Sequence, residues 1–357
     1  METVDLPALA IGKVTAWLFD RLGRRIVIGS RMRLARNLPG LPFPHQATAR
    51  QCRTLCQKIV QVFTDYPEDN LVVVDMMNLN EVEKAVLVEK HLVSLEFVQE
   101  DWPRVALIFP EQRISIMVNE EDHIRLQAFA PGLSLNSLWE KVDELDNYLD
   151  QQLTAAFHPF LGYLTACPTN LGTGFRVSAL VHLPALMFTK KGRLIFSSLR
   201  DIGVIVRGWY GEGSPPAGDI FQISSGQSLG KTEREIIHEM QVVVKLIEKE
   251  ERKMRQEMEA NKRWRNQLRE RLEGIQQASR LTTEEALSFI SWLSLAAELN
   301  WLSLNGKNLG CLLTQILPGH LQLVQGRSLT PAQRDKLRAE LLRKELKDLC
   351  LNVLPNG

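Results

Sequence analysis

The chain has 357 residues, 45% of them hydrophobic, with Lys+Arg 43 against Asp+Glu 42. That is enough apolar material for a large core and almost no net charge, which excludes a single small module and a surface built wholly for nucleic acid. At about 100–200 residues per domain, the length predicts two domains or one large domain with an appendage.

The N-terminal segment, 1–24, carries Glu2 and Asp5 and lacks a basic start, and no run approaches the ~20 apolar residues that span a bilayer, so neither a signal peptide nor a membrane span is expected. From Arg25 onward, β-branched runs alternate irregularly with helical patterns. Leu71–Val74, Val105–Phe109, Ile114–Val118 and Val204–Val206 read as strands, bounded by Pro, Gly, Asn or Asp. Gln46–Phe63 and Ser137–Leu153 space their apolar residues three and four apart, as amphipathic helices do. The mixture predicts an α+β domain rather than a doubly wound parallel sheet.

After Leu229 the texture changes. Thr232 with Glu235 forms a capping box that opens a largely helical stretch, Ile236–Leu272, densely charged from Lys245 to Glu273 as a solvated helix laced with i,i+4 pairs would be. Beyond Gly274, helices are expected over Thr282–Leu299, with Thr283 as cap, and over Thr330–Leu349, with Thr330 as cap before Pro331. The C-terminal third is therefore an all-helical domain. The five cysteines, Cys52, Cys56, Cys167, Cys311 and Cys350, are odd in number and scattered, which fits a reducing cytoplasm rather than a disulfide framework. Cys52 and Cys56 lack the further ligands of a zinc site.

Four segments carry chemistry. Ser30-Arg31-Met32-Arg33 follows an extended run, and alternation would put Arg31 and Arg33 on one face as two guanidinium forks, suited to phosphate. Such pairs are also common on exposed strand faces. Asn119-Glu120-Glu121-Asp122-His123-Ile124-Arg125 gathers three carboxylates in one connection, which is either a solvated turn or a place to bind a cation or remove a proton. In Cys167-Pro168-Thr169-Asn170-Leu171-Gly172-Thr173-Gly174-Phe175-Arg176 the glycines permit close backbone approach. Its cysteine is either a buried structural thiol or one drawn toward thiolate by nearby arginines. Arg207-Gly208-Trp209-Tyr210-Gly211-Glu212 adds an arginine and a carboxylate in a glycine-flanked loop. No Walker loop and no protein-kinase signature is present.

As an ordered set these segments resemble the phosphagen (guanidino) kinase family, with its S-x-R-x-R, N-E-E-D-H-x-R, C-P-[ST]-N-x-G-T-x-x-R and R-G-x-x-G-E motifs. Glu89-Lys90-His91-Leu92 is similar to the family's nucleotide-contacting segment. Within the family the chain resembles the bacterial protein arginine kinases. Only 29 residues precede Ser30, where small-molecule members begin with a helical domain that closes over a free guanidino substrate. Arg334-Asp335-Lys336-Leu337-Arg338-Ala339 matches that subfamily's phosphoarginine pocket. By itself the segment reads as an ordinary charged helix face.

The resemblance implies a catalytic domain over 25–254 with a largely antiparallel sheet flanked by helices, and a helical domain over 255–357 that carries the phosphoarginine pocket and a dimer interface. It implies ATP and magnesium as cofactors, the metal held mainly by nucleotide oxygens and water, with no protein metal site. The ATP side would comprise Gly29, Ser30, Arg31, Met32 and Arg33; His91; Arg125; Arg176, Val177, Ser178, Ala179 and Leu180; and Arg207, Gly208, Trp209, Tyr210, Gly211 and Glu212. Glu121 and Glu212 would grip the acceptor guanidinium and take its proton, with Cys167 against it as a thiolate. Partners implied are protein substrates bearing arginine, among them a heat-shock transcriptional repressor, a zinc-binding activator protein, a Clp unfoldase–protease and a second copy of the chain. No membrane or direct nucleic-acid partner is implied.

Gly29, Phe175 and Ser225-Gly226-Gln227 depart from the usual pattern and touch only nucleotide fit and loop ordering. Two other readings are a non-catalytic phosphoarginine-binding adaptor, which need not keep both carboxylates and five arginines, and a kinase of a free small guanidino compound. Trp264, Trp292 and Trp301 would suit an interface if exposed and a core if not.

Overall fold

Alternation along one strand decides where the two faces of the sheet go. In β1 (Val27–Arg36) Ile28, Met32 and Leu34 are buried in the main apolar core, while Arg31 and Arg33 fall on the opposite face. The computed structural model describes residues 22, 25–67, 70–99, 101–111, 113–209, 217–259 and 261–347. Among them the strands that follow are β2 (Val72–Asp75), β3 (Val105–Phe109), β4 (Ile114–Val118), β5 (Ile124–Pro131), β6 (Phe157–His158), β7 (Gly162–Tyr163), β8 (Phe175–His182), β9 (Ile205–Gly208) and β10 (Ile220–Ser224). Eight of these form one sheet, ordered β2-β3-β4-β5-β1-β8-β10-β9, and every pairing is antiparallel. The expected strands at Val105–Phe109 and Ile114–Val118 form as read, and those at Leu71–Val74 and Val204–Val206 begin one residue later, the second of them running on to Gly208.

The helices around the sheet are α1 (Ala49–Thr64), α2 (Glu81–Glu89), α3 (Leu95–Val98), α4 (Leu135–Leu153), α5 (Pro184–Phe188) and α6 (Gly192–Asp201). Helix α1 starts later than its periodicity suggests, because Thr48 and Gln51 form a capping box and Pro44–Gln46 is a separate 3-10 turn. Its buried face, Cys52, Leu55, Cys56, Ile59 and Phe63, repeats at three and four and lies on the same core as Phe109 and Tyr148. Helix α4 adds Leu138, Val142, Leu145 and Leu149.

The helical part comprises α7 (Glu233–Glu259), α8 (Lys262–Gln276), α9 (Thr283–Glu298), α10 (Leu309–Gln315), α11 (Pro318–Gln325) and α12 (Pro331–Leu346). The Thr232–Glu235 box is present, with Thr232 N donating to Glu235 at 2.7 Å and Glu235 N to Thr232 Oγ1 at 3.3 Å. The single helix expected over Ile236–Leu272 is two. Asn261 accepts the Arg263 N–H and caps a new start, since a short amide side chain competes for helical N–H groups. Gly274 lies inside α8 rather than ending it. Thr282, not Thr283, caps α9, because Glu285 stands at the box spacing from Thr282. Thr330 caps α12 as expected. Helix α7 runs through 254/255, so the catalytic and helical parts share one continuous element.

Trp301 is buried and Trp264 and Trp292 pack against the core, so the three tryptophans are core residues and do not form an exposed interface. Among the described residues no helix is long and apolar enough to cross a membrane.

Candidate active site

Antiparallel register brings the arginines together. Arg33 lies opposite Arg176 of β8 and Gln127 of β5, Arg31 opposite Ser178, and Arg125 opposite Ala35. Arg31, Arg33, Arg125, Gln127, Arg176 and Arg207 all line one cleft of about 1270 Å³. Arg31 Nε and Arg33 Nε and Nη2 are buried without a hydrogen-bond partner. Buried donors are normally paired, so this face is built for an anion with several acceptor oxygens. Burial, followed by the neighbouring Arg125, pushes Arg31 down to about 9. Burial and then Arg31 press Arg33 well below the ordinary range. The cleft is short of negative charge.

The N-E-E-D-H segment turns between β4 and β5, and its three carboxylates separate by partner. Glu120 is buried, accepts from Arg125 and, at 2.6 Å, from Ser94 Oγ. Burial alone would raise its carboxyl, but Arg125, Ser94 and the Glu121 N–H bring it down to about 2. Arg125 is raised in return: burial opposes its charge and Glu120 outweighs that. Asp122 is also buried and accepts from Asn37 Nδ2 at 2.6 Å and Ala166 N at 2.7 Å. His123 is tied to Leu38 N through Nδ1 and to Pro42 O through Nε2. Between these anchors Glu121 alone keeps an open solvent face in the cleft. Partial desolvation, then Asp122 beside it, raises the Glu121 carboxyl, opposed by Arg125 and by a hydrogen bond with Cys167.

Cys167 faces the cleft from the next loop, its Sγ 3.0 Å from Thr169 Oγ1. Asn170 accepts from Arg176 Nη2 at 3.1 Å, so this loop also aims an arginine. The loop is braced by the β6–β7 hairpin. Tyr163 N donates to Gly172 O at 2.8 Å and Gly172 N to Leu161 O at 2.9 Å. A Cβ on Gly162, at φ 71, would sit 2.1 Å from Gly172 O, so only glycine allows this approach. Arg36 completes the brace, gripping Asp146 with two nitrogens and lying 3.5 Å over the Tyr163 ring.

His91, at φ 58, also lines the cleft, and burial followed by the charge of Arg31 pushes its imidazole down to about 3, so it stays neutral. Other residues expected on the ATP side do not line the cleft. Met32, Val177 and Ala179 turn into the core, because they occupy alternate strand positions to the arginines. Leu180 is buried in the same core cluster, beyond the end of the cleft. Ser30 Oγ donates to Gly132 O at 2.6 Å, fixing a turn, and Gly29, Ser178 and Gly208 contribute strand backbone. Trp209 is buried with its ring edge-on to His91. Tyr210, Gly211 and Glu212 lie outside the described residues.

Arg334, Asp335, Lys336, Leu337, Arg338 and Ala339 stand on α12, away from the cleft. Arg338 is 1% exposed and already engaged, donating to Ile316 O at 2.9 Å, Leu281 O at 2.6 Å and Asp335 Oδ1 at 2.7 Å. Arg334 donates to Leu329 O, and Lys336 is exposed beside Glu340. The cleft also recruits residues the sequence did not single out, among them Glu120, Asp122, Ser94 and Asn170. Glu120 and Asp122 sit inside a recognised segment, and only their partners separate their parts from that of Glu121.

Residues 54–254 match the family model described as ATP:guanido phosphotransferase, C-terminal catalytic domain. Residues 270–353 match the Protein-arginine kinase McsB C-terminal domain. The chain is 39% identical over 326 residues to the Protein-arginine kinase of Halothermothrix orenii, covering 90% of this chain and 93% of that protein. It is 40% identical over 332 residues to the Protein-arginine kinase of Moorella thermoacetica, covering 90% and 94%. Among solved structures, a lombricine kinase superposes with TM-score 0.56 at 24% identity, covering 70% of this chain and 71% of that one. A duplicated taurocyamine kinase from Schistosoma mansoni, bound to transition state analog components, gives TM-score 0.59 at 24% identity, covering 80% and 41%. These two similarities speak to the fold.

Proposed function

Because the chain belongs to the ATP:guanido phosphotransferase family, in its protein-arginine kinase branch, we propose that it transfers the γ-phosphoryl group of ATP to a guanidino nitrogen of arginine side chains in proteins. One observation carries this reading most: five arginines, three of their buried donor atoms unpartnered, face the same cleft as a solvent-open glutamate with a raised carboxyl.

Phosphoryl transfer spreads negative charge over three equatorial oxygens, so fixed cations do most of the catalytic work. Arg31 and Arg33 supply forks held by a central strand, and Arg125 is fixed by Glu120. The preorganisation is made during folding and costs nothing at the moment of reaction. Magnesium would accompany the nucleotide, held by its phosphate oxygens and water, and would neutralise part of the same charge.

The acceptor is a guanidinium with pKa above about 12, a poor nucleophile until it loses a proton. Glu121 is the carboxylate placed to orient it and take that proton, and a raised pKa makes it the stronger base. The new N–P bond forms as the bond from phosphorus to the β–γ bridging oxygen breaks. ADP leaves, and the proton rests on Glu121. Glu212 would be the second carboxylate on the guanidinium and Cys167 a sulfur against it, without covalent bonding to substrate. The wider setting belongs to the same proposal: a cytoplasmic homodimer with a zinc-binding activator, a heat-shock repressor among its substrates, and a Clp unfoldase–protease reading the mark. It rests on the resemblance. The segment Arg334–Ala339 would be the site where phosphoarginine regulates the enzyme.

With ATP, magnesium and a basic acceptor protein, Glu121→Gln and Glu212→Gln should each lower phosphoarginine formation by a factor of about 100 or more, the usual worth of a general base. Activity retained in both variants would sink the carboxylate assignment. Free arginine phosphorylated as well as the protein acceptor would overturn the protein specificity.

A further inference from the structure

The first turn of α11 has no cap of its own. Leu317 offers no side-chain acceptor and Pro318 has no N–H. The next two N–H groups, those of Gly319 and His320, are taken at 2.5 and 3.0 Å by the carboxylate of Glu89, 230 and 231 positions away. His320 Nδ1 adds a third bond at 2.6 Å. Glu89 is 7% exposed and the fit leaves no slack, since a Cβ on Gly319 would lie 2.9 Å from Glu89 Oε2 and 3.1 Å from Ala85 Cβ.

Glu89 is also the last residue of α2. Lys90 and His91 follow it directly, and His91 lines the cleft close to the charge of Arg31. The turn is held from one side by Gln127 of β5, which donates to His91 O at 3.0 Å and Leu92 O at 2.7 Å. Glu89 holds it from the other side, through the helical domain. At the far end of that link Arg338 donates to Ile316 O, and Ile316 is bonded to Leu317, the residue that opens α11.

We propose that Glu89 is a positioning residue: by capping a helix of the C-terminal domain it fixes the Lys90–His91 turn against the nucleotide, and so joins the shell around Arg338 to the cleft. This rests on the reading that the arginine-lined side of the cleft takes ATP. The link is short: Arg338 bonds Ile316 O, α11 is capped by Glu89, and Glu89 is two residues from His91 along the chain.

The test uses the full chain with Glu89→Gln and, as a milder change that leaves both backbone bonds, His320→Ala. Two readouts are taken: KM for ATP and for a basic acceptor protein, and amide hydrogen exchange at His91 and Leu92, whose N–H groups bond Val88 O and Leu87 O. Glu89→Gln should raise KM for ATP about tenfold, leave KM for the acceptor within about twofold, and speed exchange at the two amides. His320→Ala should move both readouts the same way by less, and the double variant should be no worse than Glu89→Gln, as coupled partners are. A lower melting temperature with unchanged exchange at His91 and Leu92 would make Glu89 merely structural and overturn the proposal. Equal rises in both KM values would also overturn it. Exchange needs no turnover, so an inactive wild-type protein would fail the kinase reading while still deciding this one.

Discussion

Asp219 shows how burial sets the behaviour of a single residue. It follows Gly218, and its Oδ2 accepts from Ser291 Oγ of α9 at 2.7 Å. Burial raises its carboxyl from 3.8 to about 6, against the pull of that bond. A carboxyl raised in the fold contributes stability that is complete below the unfolded value and lost as pH climbs through the folded one. Asp219→Asn keeps an acceptor without the charge. It should melt no higher than wild type near pH 4 and clearly higher at pH 8, and the same difference at both pH values would contradict the assignment. Legibility at this scale was uneven for a physical reason. The five arginines could be read because residue type and order identify them. The division of labour among Glu120, Glu121 and Asp122 came only with the family resemblance and from no local spacing, because it depends on Ser94, Asn37 and Ala166, up to 85 positions away.

Two kinds of helix cap occur among the described residues, and only one is written locally. Thr48, Asn80, Thr282 and Thr330 make capping boxes with a residue three positions on. The Leu-Pro starts of α5 and α11 instead borrow a carboxylate from another helix, Glu251 for α5 and Glu89 for α11. Local spacing could never reveal these caps. Glu251 is fully buried, accepting from Ala185 N at 3.0 Å, Leu186 N at 2.9 Å and Arg255 Nε at 2.8 Å. Arg255 also bonds Glu298, so one cluster joins α5, α7 and α9. Glu251→Leu would leave Arg255 short of its main counter-charge and two helical N–H groups unsatisfied. Breaking a buried pair in this way costs about 3–5 kcal/mol. Urea unfolding should show a lower midpoint with an unchanged slope, and a loss below about 1 kcal/mol would show that the cluster is not a stabilising unit.

Across the whole molecule, the α+β class and the helical C-terminal part were legible from texture, and the antiparallel sheet only through the family resemblance. The strand order β2-β3-β4-β5-β1-β8-β10-β9 was not, because β1 finds its partners roughly 90 to 150 residues away. The same distance problem hid the seating of Arg338, which in sequence is one charge on a helix face and in space holds both Ile316 and Leu281. Leu281 immediately precedes the cap of α9, and α9 touches Gly218 through Leu287. Arg338 therefore holds the chain just before both α9 and α11. Arg338→Ala should flatten the response of activity to added phosphoarginine. An activation curve unchanged from wild type would return Arg334–Ala339 to a purely structural helix face.

In the proposed reaction a proton leaves an arginine of the acceptor protein as phosphorus arrives on its nitrogen. This step is tested most directly by incubating the purified chain with ATP, magnesium and a basic acceptor protein, and mapping phosphate by mass spectrometry under non-acidic conditions. The expected result is phosphate on arginine that is lost on brief acid treatment, survives alkali, and is missing with Glu121→Gln. Acid-stable phosphate on serine or threonine, or phosphoarginine formed equally well without Glu121, would contradict it.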